Sequence, residues 1–251
     1  MHFLKHHHNW RNLARTPAID AALVAIDEIV AAMPLFIFPN KTNKSEKVKG
    51  HAVLQSVLNA WLEAEFRLRG WLPEFPVQGR ESTGTTGYRV DFALQVEGKY
   101  IMVEVEFGNR ARIDSDFRKL LDAHYWGRLH LGVIIAPLTS MANVTTGGSA
   151  TFEQAVNDAS SCHPNTIPHP MCLIGLDHRG GAVIDMSKSK IRDPELLSGN
   201  GDKRILHHIV AEHRRGVAVA DLDLPTSCSA ASAQQNQRYC APVESQRALF
   251  A

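Results

Sequence analysis

The sequence predicts an α/β fold in which a central mixed β-sheet is flanked by α-helices. Residues 88–95 and 100–107 are both rich in β-branched and aromatic side chains and predict a β-hairpin. Residues 113–126 have the apolar spacing of a helix, and residues 130–137 form a short, continuous apolar run typical of a buried strand. A hairpin, a crossover helix and a buried strand in this order indicate a mixed sheet covered by helices.

Two helices are predicted before the hairpin. Residues 17–33 carry apolar side chains on one face, and Pro34 ends this helix. Residues 50–69 form a second, strongly amphipathic helix. Its apolar face consists of Leu54, Val57, Leu58, Trp61 and Leu68.

Glu65 falls near the centre of that apolar face, whereas Glu63 points to the opposite side. A carboxylate that faces inward requires a partner, because burying it alone is costly. Glu65 is therefore a candidate fourth carboxylate of an active site. The alternative is an ion pair between Glu65 and an arginine inside the core.

The helix predicted over residues 113–126 follows the hairpin. Asp114 has the residue type of a helix cap and stands near its start. The predicted inner face consists of Phe117, Leu120, Leu121 and His124.

The second half of the chain has a less regular pattern, in which two further strands are separated by a turn. The predicted elements are a short helix over 152–160, strands over 171–176 and 181–186, and a helix over 195–215 interrupted at 198–201.

Domain organisation follows from length and composition. A chain of 251 residues with 44% hydrophobic residues is sufficient for one globular domain with a buried core. Beyond Pro225 the sequence turns to Ser, Ala, Gln and Asn, which is typical of a mobile segment. We therefore expect a single domain over residues 1–225, with a catalytic core at about 50–137, and a flexible tail over 226–251.

Composition also limits the class of protein. The sequence contains no run of about 18 apolar residues, so it does not predict a membrane span. It also contains no charged-then-apolar leader, so it does not predict secretion. Four irregularly spaced cysteines favour reduced thiols in the cytoplasm. A formal net charge of +1 gives no global attraction to nucleic acid, so such a partner would be bound by local patches.

The register of the hairpin can be deduced from the sequence. A turn at Glu97 and Gly98 pairs residues whose numbers sum to 195, so that Phe92 lies opposite Val103 on an apolar face. On the other face, Asp91 lies opposite Glu104. In the same register Arg89 lies opposite Glu106 on that second face.

Three carboxylates, those of Asp91, Glu104 and Glu106, therefore stand close together on one face of the hairpin. Opposed residues have Cβ atoms roughly 4.5–5.5 Å apart, and two carboxylates at about 5 Å repel by roughly 3 kcal/mol at an effective dielectric constant near 20. A hard divalent cation such as Mg²⁺ would relieve this repulsion. The alternative is an ion pair of Arg89 with Glu106 at the surface, with Asp91 hydrated.

Basic side chains follow the acidic strand within a short stretch. Guanidinium and ammonium groups bind phosphate oxygens well, although exposed ones on a helix are commonly only hydrated. The candidate nucleic-acid contacts are Arg110, Arg112, Arg118 and Lys119.

Other motifs give weaker signals. No glycine-rich phosphate loop ending in Lys-Ser/Thr and no G-x-S-x-G nucleophile elbow occurs. A zinc site is disfavoured because its candidate ligands are irregularly spaced and have prolines between them. Its candidate ligands would be Cys162, His163, His169 and Cys172.

These residues resemble a known family. Asp91, followed by Glu104-Val105-Glu106 on the next strand and by a basic helix, resembles the core of the PD-(D/E)xK nuclease superfamily, although Val90 stands where the motif has proline. The E-x-E sequence is similar to that of the BamHI/BglII group of type II restriction endonucleases, in which glutamate replaces the usual lysine. The resemblance covers roughly residues 50–137 and implies a restriction-endonuclease-like core.

The resemblance also implies a mechanism and partners. Asp91 and Glu104 would bind Mg²⁺ with the backbone carbonyl of Val105, Glu106 would hold or deprotonate the attacking water, and Glu65 would join a second metal site. The substrate would be double-stranded DNA with a short palindromic site, which calls for a homodimer. A DNA methyltransferase acting on the same site would be the functional partner.

Three alternatives stay open at this point. A related nuclease of DNA repair or transposition would share the same catalytic residues. A non-catalytic DNA-binding or cation-binding protein could retain the fold. Two carboxyl groups about 5 Å apart also suit a retaining glycosidase, but the neighbouring arginines and the third acid favour a phosphate substrate.

Overall fold

A computed structural model of the protein describes residues 1–38, 52–78, 88–108, 110–145, 150–162, 167–199 and 202–240. Its strands, in chain order, are β1 (His2–His8), β2 (Leu35–Phe38), β3 (Ala52–Val53), β4 (Leu72–Pro76), β5 (Arg89–Val96), β6 (Lys99–Val105), β7 (Leu129–Pro137), β8 (Met171–Asp177) and β9 (Val183–Asp185). Its helices are α1 (Pro17–Ala32), α2 (Gln55–Leu68), α3 (Arg110–Tyr125), α4 (Thr139–Ala142), α5 (Phe152–Asn157), α6 (Lys203–Arg214) and α7 (Ala230–Cys240).

The chain divides into two compact units. The first consists of Met1–Pro34 and Leu62–Ala182, and the second of Leu35–Trp61 and Val183–Ala251. The boundary crosses α2, whose C-terminal part belongs to the first unit. Within the described residues no helix is long and apolar enough to cross a membrane.

A six-stranded sheet forms the centre of the first unit, in the order β1-β8-β7-β6-β5-β4. Strands β6, β7 and β8 are parallel, whereas β4, β5 and β6 pair antiparallel and β1 is antiparallel to β8. Strand β8 is buried along its whole length, and only His130 of β7 is not fully buried. Such burial on both faces explains their continuous apolar sequences and confirms the predicted α/β class with a mixed sheet.

The predicted hairpin register is confirmed. Phe92 pairs with Val103 and Val96 with Lys99, the pairing in which residue numbers sum to 195. Glu97 and Gly98 have φ angles of 48° and 85°. Positive φ at both central residues is the geometry of a type I′ turn, which matches the right-handed twist of the strands it joins.

Two helices cover opposite faces of this hairpin. The ring of Phe66 on α2 stacks on that of Phe92 with centroids 4.5 Å apart. On the other face α3 packs over β7, so closely at Gly132 that a Cβ atom there would lie 2.9 Å from Leu120 Cδ1. The buried apolar face of α3 consists of Ile113, Phe117, Leu120 and Ala123.

The boundaries and the buried faces of α2 and α3 differ from the prediction. Helix α2 begins at Gln55 rather than residue 50, and Leu68 is 63% exposed, so it is not part of the buried face. Helix α3 begins at Arg110, which places Asp114 inside the helix rather than at its cap. Ala123 takes the buried position predicted for His124, because the buried stripe follows a spacing of three to four residues back to Ile113.

Two strands of the sheet were not predicted from the sequence. Strand β4 contains Pro73 and Pro76, residues that disfavour a central strand, but it lies at an edge of the sheet where a missing N–H costs no ladder hydrogen bond. The histidine-rich β1 forms the opposite edge. Neither carries the alternation that identifies a half-buried central strand.

The second unit contains a small sheet in which β2 pairs parallel with β9 and antiparallel with β3. The turn between β8 and β9 suggested a hairpin, but β9 pairs with β2 instead. Helix α7 lies inside the segment predicted as a tail, and its Asn236 Oδ1 accepts hydrogen bonds from the backbone N–H groups of Arg192 and Asp193. The single domain over residues 1–225 and the flexibility of 226–251 stay predictions.

Candidate active site

Four carboxylates of the first unit lie close together on one side of the central sheet. Asp91 is on β5, Glu104 is near the end of β6, and Glu106 follows that strand by one residue. Asp116 joins them from the first half of α3, which covers this face. All but Asp91 are at most 5% exposed.

The carboxylate of Asp91 spans the two strands of the hairpin. Its Oδ2 accepts a hydrogen bond of 2.7 Å from the backbone N–H of Val105 on β6. Its side chain is also hydrogen-bonded to that of Glu104. The carboxyl groups of Asp91 and Glu104 therefore interact directly across the hairpin.

Lys119 supplies a positive charge inside this group of acids. Its Nζ donates to Glu104 Oε1 at 2.8 Å and to Asp116 Oδ1 at 3.1 Å. The Lys119 side chain is 16% exposed, so the ammonium is largely removed from water. One contacting ammonium still leaves the four carboxylates with an excess of negative charge.

Glu106 turns its carboxylate towards the loop that leads into α3. Its Oε1 accepts a hydrogen bond from the backbone N–H of Gly108. A Cβ atom at position 108 would collide with the same oxygen and would lie 3.1 Å from Arg112 Cδ. The absence of a side chain at Gly108 thus allows Glu106 to lie against the backbone here.

The pKa values of all four carboxyl groups are raised. Burial is the largest cause in each case, because it disfavours the charged form. The negative charges of Asp116 and Asp91 raise the pKa of Glu104 further. Burial and the charge of Asp116 raise the pKa of Glu106 to about 7, partly offset by Gly108 and Arg112.

The pKa of Lys119 is raised as well, but here the neighbouring charges are the cause and burial opposes them. Burial alone would lower the pKa of this ammonium, but the charges of Glu104 and Asp116 and its hydrogen bonds to them outweigh that effect. Lys119 is therefore held in its charged form, as a cation within an anionic cluster.

A divalent cation suits the chemistry of this cluster. All four acids offer oxygen ligands, which Mg²⁺ prefers, and Asp116 Oδ2 is buried without a hydrogen-bond partner. Among the described residues no three His, Cys, Asp or Glu side chains are arranged so that they could hold a metal ion as they stand. The ammonium of Lys119 already bridges Glu104 and Asp116, so a cation at these two oxygens would require it to move.

The structure brings together the three hairpin acids, whereas Glu65 pairs with an arginine four residues later in the chain. Glu65 is 7% exposed, which confirms that it faces inward, and its Oε2 accepts from Arg69 Nη1 at 2.5 Å. The alternative for Glu65 was an ion pair with an arginine inside the core, but Arg69 pairs with it from an exposed position just after α2. Phe66 packs on Phe92, so α2 covers the face of β5 opposite to the Asp91 side chain.

Arg89 does not form the ion pair with Glu106 that was considered as the alternative. The Arg89 guanidinium instead donates to the backbone carbonyl of Glu74 at 2.7 Å. Glu74 has φ 48° on the edge strand β4 and lies opposite Asp91, where its charge contributes to the raised pKa of Asp91. Negative charge therefore surrounds Asp91 on both neighbouring strands.

The basic residues predicted to contact nucleic acid have different positions. Arg112 and Arg118 are exposed on α3, and the charge of Arg112 acts on Glu106. Lys119 is bound to Glu104 and Asp116. The side chain of Arg110 lies outside the described residues.

Asp116 and Lys119 were not predicted as parts of the acidic cluster. The pattern that identified Glu65 also applies to Asp116, which stands three residues after Ile113 and four before Leu120, on the buried face of α3. Lys119 then lies three residues beyond Asp116, within reach of its carboxylate. This spacing was missed because the sequence DSDFRK (residues 114–119) is mostly charged and is typical of an exposed helix surface.

The candidate zinc ligands receive no support as a group. Cys172 is a buried free thiol and His169 is fully buried, with neither ring nitrogen hydrogen-bonded. His163 and the side chain of Cys162 lie outside the described residues.

Comparison with known proteins identifies a family. The family model described as restriction endonuclease BglII/BglIII matches residues 20–176, more than half of the chain. Among solved structures, restriction endonuclease BglII complexed with a DNA 16-mer is similar with a TM-score of 0.56 and 20% identity over 70% of this chain and 78% of that one. Free BglII is similar with a TM-score of 0.49 and 18% identity over 70% of this chain and 79% of that one. No curated protein sequence matches the chain.

Proposed function

We propose, from the premise that the chain belongs to the restriction endonuclease BglII/BglIII family, that it hydrolyses double-stranded DNA at a short palindromic site in a magnesium-dependent reaction. Family membership makes the chain a type II restriction endonuclease, and the similarity to BglII supports the same α/β fold. The metal, the symmetry of the site and the residue roles are our proposals. The observation that carries them is the contact of Asp91 with the buried Glu104, with the buried Glu106 beside them.

The hairpin acids have distinct proposed roles. Asp91 and Glu104 would hold Mg²⁺ together with the backbone carbonyl of Val105. When bound, Mg²⁺ lowers the pKa of a coordinated water and neutralises charge that develops on the phosphate. Glu106 would orient the attacking water and accept its proton. A pKa near 7 is well matched to that task, because a general base works best when its pKa is close to the operating pH.

Glu65 is retained as a proposed member of a second metal site. Its support is burial at 7% exposure, because a buried carboxylate requires a partner. Its ion pair with Arg69 is the competing account. A comparison with Glu63, described in the Discussion, separates the two.

DNA would be bound by basic side chains around the site. Arg112 and Arg118 are exposed on the helix that covers the acids, and we propose that they contact phosphates, together with Arg110 and Lys119. A palindromic site calls for a homodimer, in which two equal subunits face equal half-sites. We further propose that a DNA methyltransferase modifies the same site, and that the enzyme acts in the cytoplasm, where its free thiols Cys172 and Cys228 would stay reduced.

The proposal is tested by digesting DNA of known sequence in the presence and absence of Mg²⁺. We expect discrete fragments with Mg²⁺ and none with a chelator. Glu104→Ala should lower cleavage by more than about 100-fold, beyond the range typical of residues that only support a metal ligand, while DNA binding is retained. Glu28→Ala, which changes an exposed acid on α1, is the control.

Two results would contradict this function. Cleavage by Glu104→Ala at the wild-type rate would overturn the active-site assignment. Nicking or smearing of plasmid DNA in place of discrete fragments would overturn the specific site and favour a nuclease of repair or transposition.

A further inference from the structure

Asp116 and Lys119 lie one helical turn apart on α3, directly over the hairpin acids. Asp116 is 4% exposed, which is exceptional for a charged residue without a complete set of partners. Its Oδ1 accepts from Lys119, whereas its Oδ2 is buried and has no hydrogen-bond partner. A buried carboxylate oxygen left in this state is costly unless a ligand satisfies it.

The same carboxylate is directed at the other acids. Its negative charge is the strongest neighbouring charge acting on both Glu104 and Glu106. One side chain of α3 thus faces both the end of β6 and the residue that follows it. Such an arrangement is unfavourable for four acids alone, and it becomes favourable once positive charge is placed among them.

Lys119 provides part of that charge. Its Nζ lies 2.8 Å from Glu104 Oε1 and 3.1 Å from Asp116 Oδ1, and therefore takes a position between two carboxylates that a cation would also prefer. An ammonium on a flexible four-carbon stem is a compact point charge that can be displaced without moving the backbone. An arginine at this position could form bidentate hydrogen bonds with the same acids and would be harder to displace than the lysine.

We propose that Asp116 is a further carboxylate of the cation site and that Lys119 is its placeholder, whose ammonium neutralises Glu104 and Asp116 until a divalent cation enters. This inference rests on the proposed function of Asp91 and Glu104 as cation ligands. Entry of the cation displaces the ammonium from both oxygens and gives Asp116 Oδ2 a partner. The placeholder keeps the acids folded together in the absence of metal.

The role of Asp116 is tested by titrating the full chain with MgCl₂ in an isothermal calorimeter, without DNA. Asp116→Asn keeps the shape and removes the charge, and we expect Mg²⁺ to bind about 10- to 100-fold more weakly, the range seen when a group that supports a metal site is removed. Asp114→Asn changes an exposed acid two residues away on the same helix and should bind like wild type. Equal affinity of Asp116→Asn and Asp114→Asn would overturn the assignment of Asp116.

The role of Lys119 is tested by thermal unfolding with EDTA and with Mg²⁺. Lys119→Met leaves Glu104 and Asp116 without their counter-charge, so it should melt below wild type in EDTA. Mg²⁺ should raise its melting temperature more than that of wild type, since no ammonium competes. Lys99→Met, which changes an exposed lysine of β6, is the control. An equal rise with Mg²⁺ in Lys119→Met and wild type would overturn the placeholder.

Glu104→Ala separates failure of this inference from failure of the proposed function. If Glu104→Ala abolishes Mg²⁺ binding and Asp116→Asn leaves it unchanged, only the inference about Asp116 is wrong. If wild type does not bind Mg²⁺, or Glu104→Ala binds it like wild type, the proposed metal site and the inference are both wrong. Circular dichroism of each variant shows whether weaker binding reflects unfolding instead.

Discussion

At the scale of single residues, Glu106 differs from the other acids of the site because its pKa is raised to about 7, into the physiological range. Asp91 and Glu104 are tied to one another through a hydrogen bond, and Glu104 and Asp116 through Lys119. The described partner of Glu106 is one backbone N–H, that of Gly108. The protonation of Glu106 can therefore change without breaking an ion pair described in the cluster.

This leads to a prediction for stability against pH in metal-free protein. The folded-state pKa of Glu106 lies above its ordinary value of 4.5, so the folded protein binds the proton more tightly than the unfolded chain. The stabilisation is fully present below about pH 4.5 and is lost as pH rises through about 7. Glu106→Gln should therefore be more stable relative to wild type at pH 8 than at pH 5.

The measurement is urea unfolding of both proteins in EDTA at several pH values. The difference between the two unfolding free energies is the quantity to follow, because it cancels the titration of groups that the proteins share. A difference that is constant from pH 5 to pH 8 would show that Glu106 titrates at its ordinary pKa in the folded protein.

At the scale of elements, α2 and α3 approach the hairpin from opposite faces and present their acids differently. Helix α3 delivers Asp116 to the face that carries Asp91 and Glu104, as its lysine contact with Glu104 demonstrates. Helix α2 is anchored by Phe66 on Phe92, on the other face. An inward acid on α3 therefore faces the site directly, as Asp116 does.

Helix α2 also contains its own control for the proposed role of Glu65. Glu65 and Glu63 each pair with an arginine four residues later, Arg69 and Arg67, but Glu65 has a 10% exposed side chain and Glu63 a 30% exposed one. We expect Glu65→Ala to lose at least about 10-fold more cleavage activity than Glu63→Ala, as for a residue that supports a metal site. Cleavage rates are measured under conditions where both variants are folded.

Comparable, mild losses in the two variants would show that Glu65 serves only its ion pair with Arg69. The melting temperatures add a second comparison. A variant that melts early but cleaves normally at low temperature has lost a structural contact, not a functional one.

At the scale of the whole molecule, a net charge of +1 means that DNA is not attracted by the protein as a whole. In our proposal, affinity comes from the local arginines and from the symmetry of a dimer. A homodimer on a palindrome doubles every phosphate contact, and the salt dependence of binding reports how many are made. The proposed dimer therefore predicts both the mass of the protein–DNA complex and the salt dependence of DNA binding.

We expect two chains per cleaved site. Analytical ultracentrifugation with a short duplex that contains the site should give a mass of two chains and one duplex. Sequencing of the cut ends should show breaks at positions related by a two-fold axis. One chain per duplex with asymmetric cuts would contradict the homodimer.

The sequence by itself determined the fold class, the register of the hairpin and the proximity of Asp91 to Glu104. It could do so because strand alternation and a two-residue turn are local constraints, and a slip by one residue would have reversed both faces. The helices α1, α2 and α3 were also predicted, from apolar spacing alone. Their ends were predicted less well, since α2 begins at Gln55 and α3 begins at Arg110, four residues before the predicted cap Asp114.

Only the tertiary structure decided which charges meet. Strand β4 depended on being an edge, which no local pattern reveals in a segment with two prolines. Asp116 and Lys119 joined the acids because α3 crosses the sheet over Glu104, a contact between residues 15 apart in the chain. The three acids that read as uncompensated in the sequence thus have an ammonium among them, because electrostatic partners are selected by packing in space rather than by spacing along the chain.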